Sequence, residues 1–245
     1  MDFPLAELCA DLRSPDPAVR DDHAYTALAA LVPRLNPEQA VELGDAMAER
    51  FTDPEVQART FAPLILAALV KHGHYRPSWL AAFAAWYPAE PDLRGYDAEL
   101  GWLHAVAHGA DLLGAFGTHG EADPELLLAL GAARMVAPTA QVWDALEDDR
   151  LAHAMARVLL RPGLTDAQST GWLDRVAELF AAGRPGPVPA EASNTIRTLW
   201  LLHLCAVRGV RPSRYGDEPV VPLTRADAVA RRLVELLAIP SPYLG

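Results

Sequence analysis

Two histidines and an aspartate, His104, His108 and Asp111, stand at i, i+4 and i+7 and are the only ionisable side chains in residues 101–116. Read as one helix, that stretch stacks the three along a single stripe, with Leu103, Val106, Ala110 and Leu113 on another side. A helix this apolar is expected to be buried. Imidazoles and a carboxylate inside a helical protein must then be paired, metal-bound or turned towards a pocket, because unpaired polar groups there are costly. Three chemistries fit the stripe. Imidazoles one turn apart, with an aspartate a turn further on, can present a divalent metal such as zinc, iron or manganese with an open coordination position. The same groups can serve as acid and base on a bound ligand, or form a hydrogen-bonded ladder to neighbouring helices. The metalloprotease arrangement is excluded, since it needs glutamate after the first histidine and Ala105 stands there.

Other charged residues fall where apolar ones belong. The wheel of residues 146–160 puts Asp148 on the same side as Leu151, Met155, Val158 and Leu159, so it needs an arginine or histidine partner. Arg94, Arg59 and the His104 stripe are the candidates. Glu147 and Arg150, three apart, can pair within their own helix, while His153 falls with Asp149 and Arg157 on the side expected to be solvated. Arg59, Arg94 and Arg197 each sit in or beside an apolar run. Arginine suits bidentate capture of carboxylate or phosphate, so the three are candidates for an anion-binding pocket. Equally, they can neutralise Asp22, Asp92 and Asp148 in ion pairs between helices. Tyr25 and Tyr96 are candidate acid/base groups, or tyrosines at the core margin with a bonded hydroxyl.

Helices must position these groups. Asn36-Pro37, Asp53-Pro54, Asp123-Pro124 and Thr165-Asp166 place capping side chains at or near first turns, and apolar residues then recur with the helical period. The predicted helices fall near 4–13, 17–32, 37–51, 54–72, 77–87, 97–117, 124–136, 141–161, 166–182, 190–208 and 223–238. Strand signals are nearly missing, and the pair Val220-Val221 is bracketed by prolines and reads as an extended loop. The expected architecture is a single all-helical domain over 1–245, built of stacked antiparallel helix pairs in a HEAT-like curved array, with a compact orthogonal bundle as the alternative. The irregular stretches 183–190 and 209–222 are each placed to cover the mouth of a groove.

Composition removes whole classes. Of the 245 residues 51% are hydrophobic and 22% charged, which suits a globular core. A formal net charge of −11 argues against a general nucleic-acid binder. Lys71 is the only lysine, and the two cysteines, Cys9 and Cys205, form no CxxC motif. No signal-like leader or membrane-length apolar run is seen, so a cytoplasmic protein without membrane association is expected. No nucleophile elbow, P-loop or dinucleotide fingerprint occurs.

Several segments together resemble the DUF2785 family of bacterial proteins of unknown function. They are Arg20-Asp21-Asp22-His23-Ala24-Tyr25, Arg59-Thr60-Phe61, Asp92-Leu93-Arg94-Gly95-Tyr96, Gly101-Trp102-Leu103-His104 with His108-Gly109-Ala110-Asp111, Glu147-Asp148-Asp149-Arg150, and Asn194 with Arg197. Thr60 stands where that family's Arg-Ser-Phe pattern has serine. The resemblance implies an all-helical fold and supplies no reaction. Two functions remain. In one, His104, His108, Asp111 and Asp148 do chemistry, or His104, His108 and Asp111 hold a divalent metal, while Tyr25, Arg59, Arg94 and Arg197 bind a small anionic or polar ligand in the concave face of the array. In the other, the chain is a helical-repeat adaptor for a protein or peptide partner, and the polar residues are structural.

Overall fold

The computed structural model describes residues 3–213 and 216–243. Among these, the α-helices run in order α1 (Phe3–Asp11), α2 (Thr26–Leu31), α3 (Pro37–Glu49), α4 (Val56–Lys71), α5 (Pro77–Trp86) and α6 (Ala105–Thr118). There follow α7 (Pro124–Val136), α8 (Glu147–Leu159), α9 (Asp166–Thr170), α10 (Leu173–Ala181), α11 (Ala190–Arg208) and α12 (Ala226–Leu237). The fold is all-α. Several starts follow from the capping residues. Asn36 and Thr165 form capping boxes with Gln39 and Gln168, and Asp123 accepts from the amide of Glu125. Asp53 accepts from the amide of Glu55 just ahead of α4.

Four predicted helices are interrupted. The stretch 17–32 is a π-helix over Ala18–Tyr25 that passes into α2, and 166–182 breaks at Gly171 and Trp172 between α9 and α10. The helix expected over 97–117 begins only at Ala105. Ahead of it, β1 (Tyr96–Asp97) and β2 (Gly101–Trp102) form a small antiparallel hairpin. Asp97 Oδ1 closes its turn by accepting from the amides of Glu99 and Leu100, and Gly101 follows at φ +71°. That is an aspartate turn ending in a left-handed residue, which glycine adopts at little steric cost. The helix expected over 141–161 likewise begins at Glu147. Val221, in the stretch read as an extended loop, pairs with Val210 in an isolated antiparallel bridge.

α4 packs on α6, α6 on α8, α8 on α11 and α11 on α12, so these five helices form a continuous row. α6 lies inside it, with twelve of its fourteen residues buried, as its apolar composition requires. Among the described residues no helix is long and apolar enough to cross a membrane.

Close packing inside the row depends on small residues. A β-carbon at Gly109 of α6 would fall 2.1 Å from Cε2 of Tyr87, a buried ring whose hydroxyl donates to the Val106 carbonyl at 2.9 Å. Gly109→Ala should therefore lower the unfolding free energy in urea by about 1–3 kcal/mol, the usual range for overpacking. Gly120→Ala, where nothing lies within 4 Å of the new carbon, should change it by less than about 0.5 kcal/mol. Equal effects at the two positions would contradict this packing.

Candidate functional site

His104 lies outside α6. It is the N-cap residue, in the left-handed region at φ 50°, held there by its amide's bonds to the carbonyls of Arg94 and Gly95. Its ring stacks on Trp102 at 4.4 Å and 10°, and Nδ1 lies 3.5 Å from Glu147 Oε1. His108, one turn on, donates from Nδ1 to the Thr60 carbonyl at 2.9 Å and meets Phe61 edge-on at 5.1 Å. Asp111 takes a two-pronged hydrogen bond from Nε and Nη2 of Arg150. The stripe is thus divided among three unrelated partners. Among the described residues no group of three or more His, Cys, Asp or Glu side chains is arranged to hold a metal ion. The metal reading of His104, His108 and Asp111 is corrected accordingly, because each side chain is oriented by a different neighbour.

The arginines are also separated. Arg59 grips Glu90 through Nε and Nη2 at 2.7 and 2.8 Å, and Glu90, 3% exposed, also accepts from Trp86 Nε1. Arg94 binds Asp92 and Asp97 on either side of it. Arg197, and not Arg94, Arg59 or a histidine, is the partner of buried Asp148, at 2.7 Å. Arg197 also bonds the Trp143 carbonyl, Ser193 Oγ and Asn194 Oδ1. An anion pocket built from Arg59, Arg94 and Arg197 is not assembled, since each guanidinium is already taken up by carboxylates of its own, Glu90, Asp92 with Asp97, and Asp148. Glu147 pairs with His104 rather than Arg150. Burial raises the Glu147 pKa, but the His104 contact and the amides of residues 147 and 145 outweigh it and hold the carboxyl below its ordinary value. The Thr60 hydroxyl only bonds back to the Gln57 carbonyl at 3.4 Å. Tyr96 is 59% exposed and packs edge-on against Trp102.

Three predicted residues do converge. Tyr25, His108 and Asp111 border a cleft of about 670 Å³. It lies between α4, α6 and α8, with Pro212, Ser213 and Glu218 of the 209–222 stretch on its remaining side. Tyr25 ends the π-helix, a form of helix frequent at functional sites. The positive charge of the cleft comes from residues the sequence reading did not select: Lys71, Arg150 and Arg157. The face of α8 expected to be solvated, with His153 and Arg157, is one wall. The available signal was that the only lysine directly follows the apolar run 61–70.

Arg150 is neutralised by Asp111, but the other two cations are not. Among the described residues the Lys71 side chain has no hydrogen bond or ion pair. Arg157 has no ion pair, and its side chain's single hydrogen bond, to Thr118 Oγ1, is a long 3.4 Å. Arg157 Nε is buried without an acceptor. Surrounding protein lowers the pKa of Lys71, with Asp111 opposing and the Arg157 and Arg150 charges adding to the fall. Arg157 is lowered by burial, against which Asp111 and Glu218 act. Glu218 brings negative charge to the far wall, although its Oε2 already accepts from the Ser213 amide at 2.8 Å.

His108 is pulled down to about 3, mainly by burial and further by the His104 imidazole. It is therefore neutral near pH 7. With the Nδ1 proton given to a carbonyl, Nε2 is left as an acceptor. So weak a base suits holding a ligand's donor better than removing its proton. The folded value lies below the unfolded one of about 6.5. Acidification thus protonates the unfolded chain first, and the stability involved is complete above about pH 6.5 and lost as pH falls towards 3. His108→Gln should remove this component, so its loss of unfolding free energy from about pH 7.5 to pH 5 should be smaller than the parent's by about 2 kcal/mol. Identical pH dependence in chemical denaturation would show that His108 does not titrate this way.

No curated protein and no solved structure matches the chain. A family model described as a protein of unknown function, DUF2785, matches residues 46–204, which include Lys71, His108, Asp111, Arg150 and Arg157. Tyr25 and the 209–222 wall lie outside the matched range. With most of its length matched, including nearly all the charge of the cleft, the chain belongs to the DUF2785 family.

Proposed function

We propose that the cleft between α4, α6 and α8 binds a small anionic molecule, with Lys71 and Arg157 as its charge partners. Arg150, oriented by Asp111, and the Nε2 acceptor of His108 contribute to selectivity. One observation carries this reading: in a chain of net charge −11, two cations face one cleft without an anionic partner, and one of them buries an unsatisfied N–H. A buried donor without an acceptor costs about 1–3 kcal/mol, and a carboxylate or phosphate supplies that acceptor. The very low basicity of His108 favours binding over acid/base catalysis there. We further read the row of α4, α6, α8 and α11 as the inner side of a curved helical array. The free thiols of Cys9 and Cys205 suit a reducing cytoplasm. The charge balance disfavours nucleic acid.

A second reading, an adaptor for a protein partner, is favoured by the outward stripe of Trp200, Leu204 and Val207 on α11, which are 44%, 57% and 59% exposed. The first is tested by titrating inorganic phosphate, acetate and citrate while following thermal unfolding. A ligand at a hundred times its Kd stabilises by about 2.7 kcal/mol. Lys71→Met and Arg157→Met should fold as the parent does, since neither residue has an ion pair, and should abolish that stabilisation. Anions that fail to stabilise the parent, or stabilise the double variant equally, would leave the adaptor reading.

A further inference from the structure

The cleft has a neighbour across His153. A second cavity of about 310 Å³ adjoins it, sharing His153 and Ser213 as walls, and runs between α8 and α11 beneath Val210 and Arg211. Its chemistry is different. Ala152, Leu201, Leu204, Cys205 and Val210 line it together with Asp149, and several of its polar neighbours are already occupied. His153 Nε2 donates to the Arg211 carbonyl at 2.9 Å, Arg211 Nη1 donates to the Glu218 carbonyl at 2.5 Å, and the Ser213 amide donates to the Glu218 carboxylate. The Cys205 thiol is pushed up to about 11, chiefly by burial and then by the charge of Asp149, so it remains an uncharged, weakly polar wall. Unpartnered positive charge therefore stands on one side of His153, and on the other stands a mostly apolar surface bordered by Asp149 and by polar groups bonded to the loop.

Resting on the anion-binding reading, we infer that the ligand is an amphiphile: an aliphatic carboxylate whose head meets Lys71 and Arg157 and whose chain passes His153 into the groove lined by Leu201, Leu204 and Cys205. The walls the two cavities share at His153 and Ser213, and the complementary charge at one end, favour this occupant. The volumes fall in or near the usual range for small-molecule sites, roughly 300–1,000 Å³. A purely polar anion would leave the apolar groove wet, and a neutral hydrocarbon would leave the cations unmatched.

The test is a homologous series, acetate, butanoate, hexanoate and octanoate, measured by isothermal titration below micelle-forming concentrations. Full burial of a methylene tightens binding roughly fourfold, so in an open groove Kd should fall at least about twofold per added methylene. Lys71→Met should weaken every member of the series. Leu204→Ser, at an exposed position that tolerates the change, should flatten the dependence on chain length while leaving acetate unaffected. Octanoate, but not acetate, should also slow alkylation of Cys205 by N-ethylmaleimide, a readout that needs no variant. Acetate binding with no gain along the series, or no protection of Cys205, overturns the chain site while the anion reading stands. Tight octanoate binding that survives Lys71→Met overturns the amphiphile by showing that the groove acts without the head site. Failure of every anion, acetate and phosphate included, overturns both.

Discussion

Two irregular segments, residues 88–104 and 137–146, lie between packed helices, and their buried backbone polar groups have to be satisfied by side chains. This is the constraint on which the remaining geometry depends. A buried amide or carbonyl without a partner costs about as much as a lost hydrogen bond. Arg20, fully buried in the π-helix, donates to the Leu100 carbonyl at 2.6 Å and lies 4.7 Å over the Phe61 ring, and so ties the hairpin to α4. Arg134 donates to the carbonyls of Tyr87 and Glu90. Asn194 accepts from the Trp143 amide and donates to the Gln141 carbonyl, while Arg197 takes the Trp143 carbonyl. With both segments held, α6 starts just after His104 and α8 just after Leu146, each N-cap a non-glycine residue in the left-handed region. Such conformations persist only where their surroundings over-determine them. The starts of α6 and α8 set where Asp111, Arg150 and Arg157 point.

The polar residues that carry the family resemblance therefore divide by task. Arg20, Arg59, Asp92, Arg94, Glu147, Asp148, Asn194 and Arg197 hold the irregular segments, whereas Tyr25, His108, Asp111 and Arg150 face the cleft. A buried ion pair serving packing alone can often be replaced by hydrophobic residues of similar volume without loss of stability. That argument does not reach Arg20 or Arg197, since a hydrophobic side chain cannot satisfy the backbone carbonyls they bind. Arginine suits the role because its planar fork has five donors and can serve a carboxylate and a carbonyl together. Buried charge here is thus no sign of function by itself. Lys71 and Arg157 differ in being cations that face open space without such an acceptor.

The helical class was legible because it rests on local rules. Asn36, Asp123 and Thr165 cap as their types dictate, and the lack of ionisable residues other than His104, His108 and Asp111 in 101–116 correctly marked α6 as buried. Asp148 was correctly judged to face the core and to need an arginine or histidine, although its partner, Arg197, was not among the candidates. Where local reading failed, a turn signal lay inside an apolar run: Asp97 and Gly101 close a hairpin within a stretch whose periodicity suits a helix. The interruption moved His104 off the helix and with it the apparent ligand set.

By itself, then, the sequence determined the helices, their caps, the buried faces and the burial of charge, all properties of residues a few positions apart. Tertiary structure decided which charge meets which. Arg20 meets Leu100 across 80 positions, Arg197 meets Asp148 across 49 and Arg150 meets Asp111 across 39. It also decided that the outer face of α8 becomes a cleft wall opposite the 209–222 stretch. Helical periodicity specifies which side of a helix a residue occupies but says nothing about which distant segment covers that side. Pairing and pocket follow from how the helices stack.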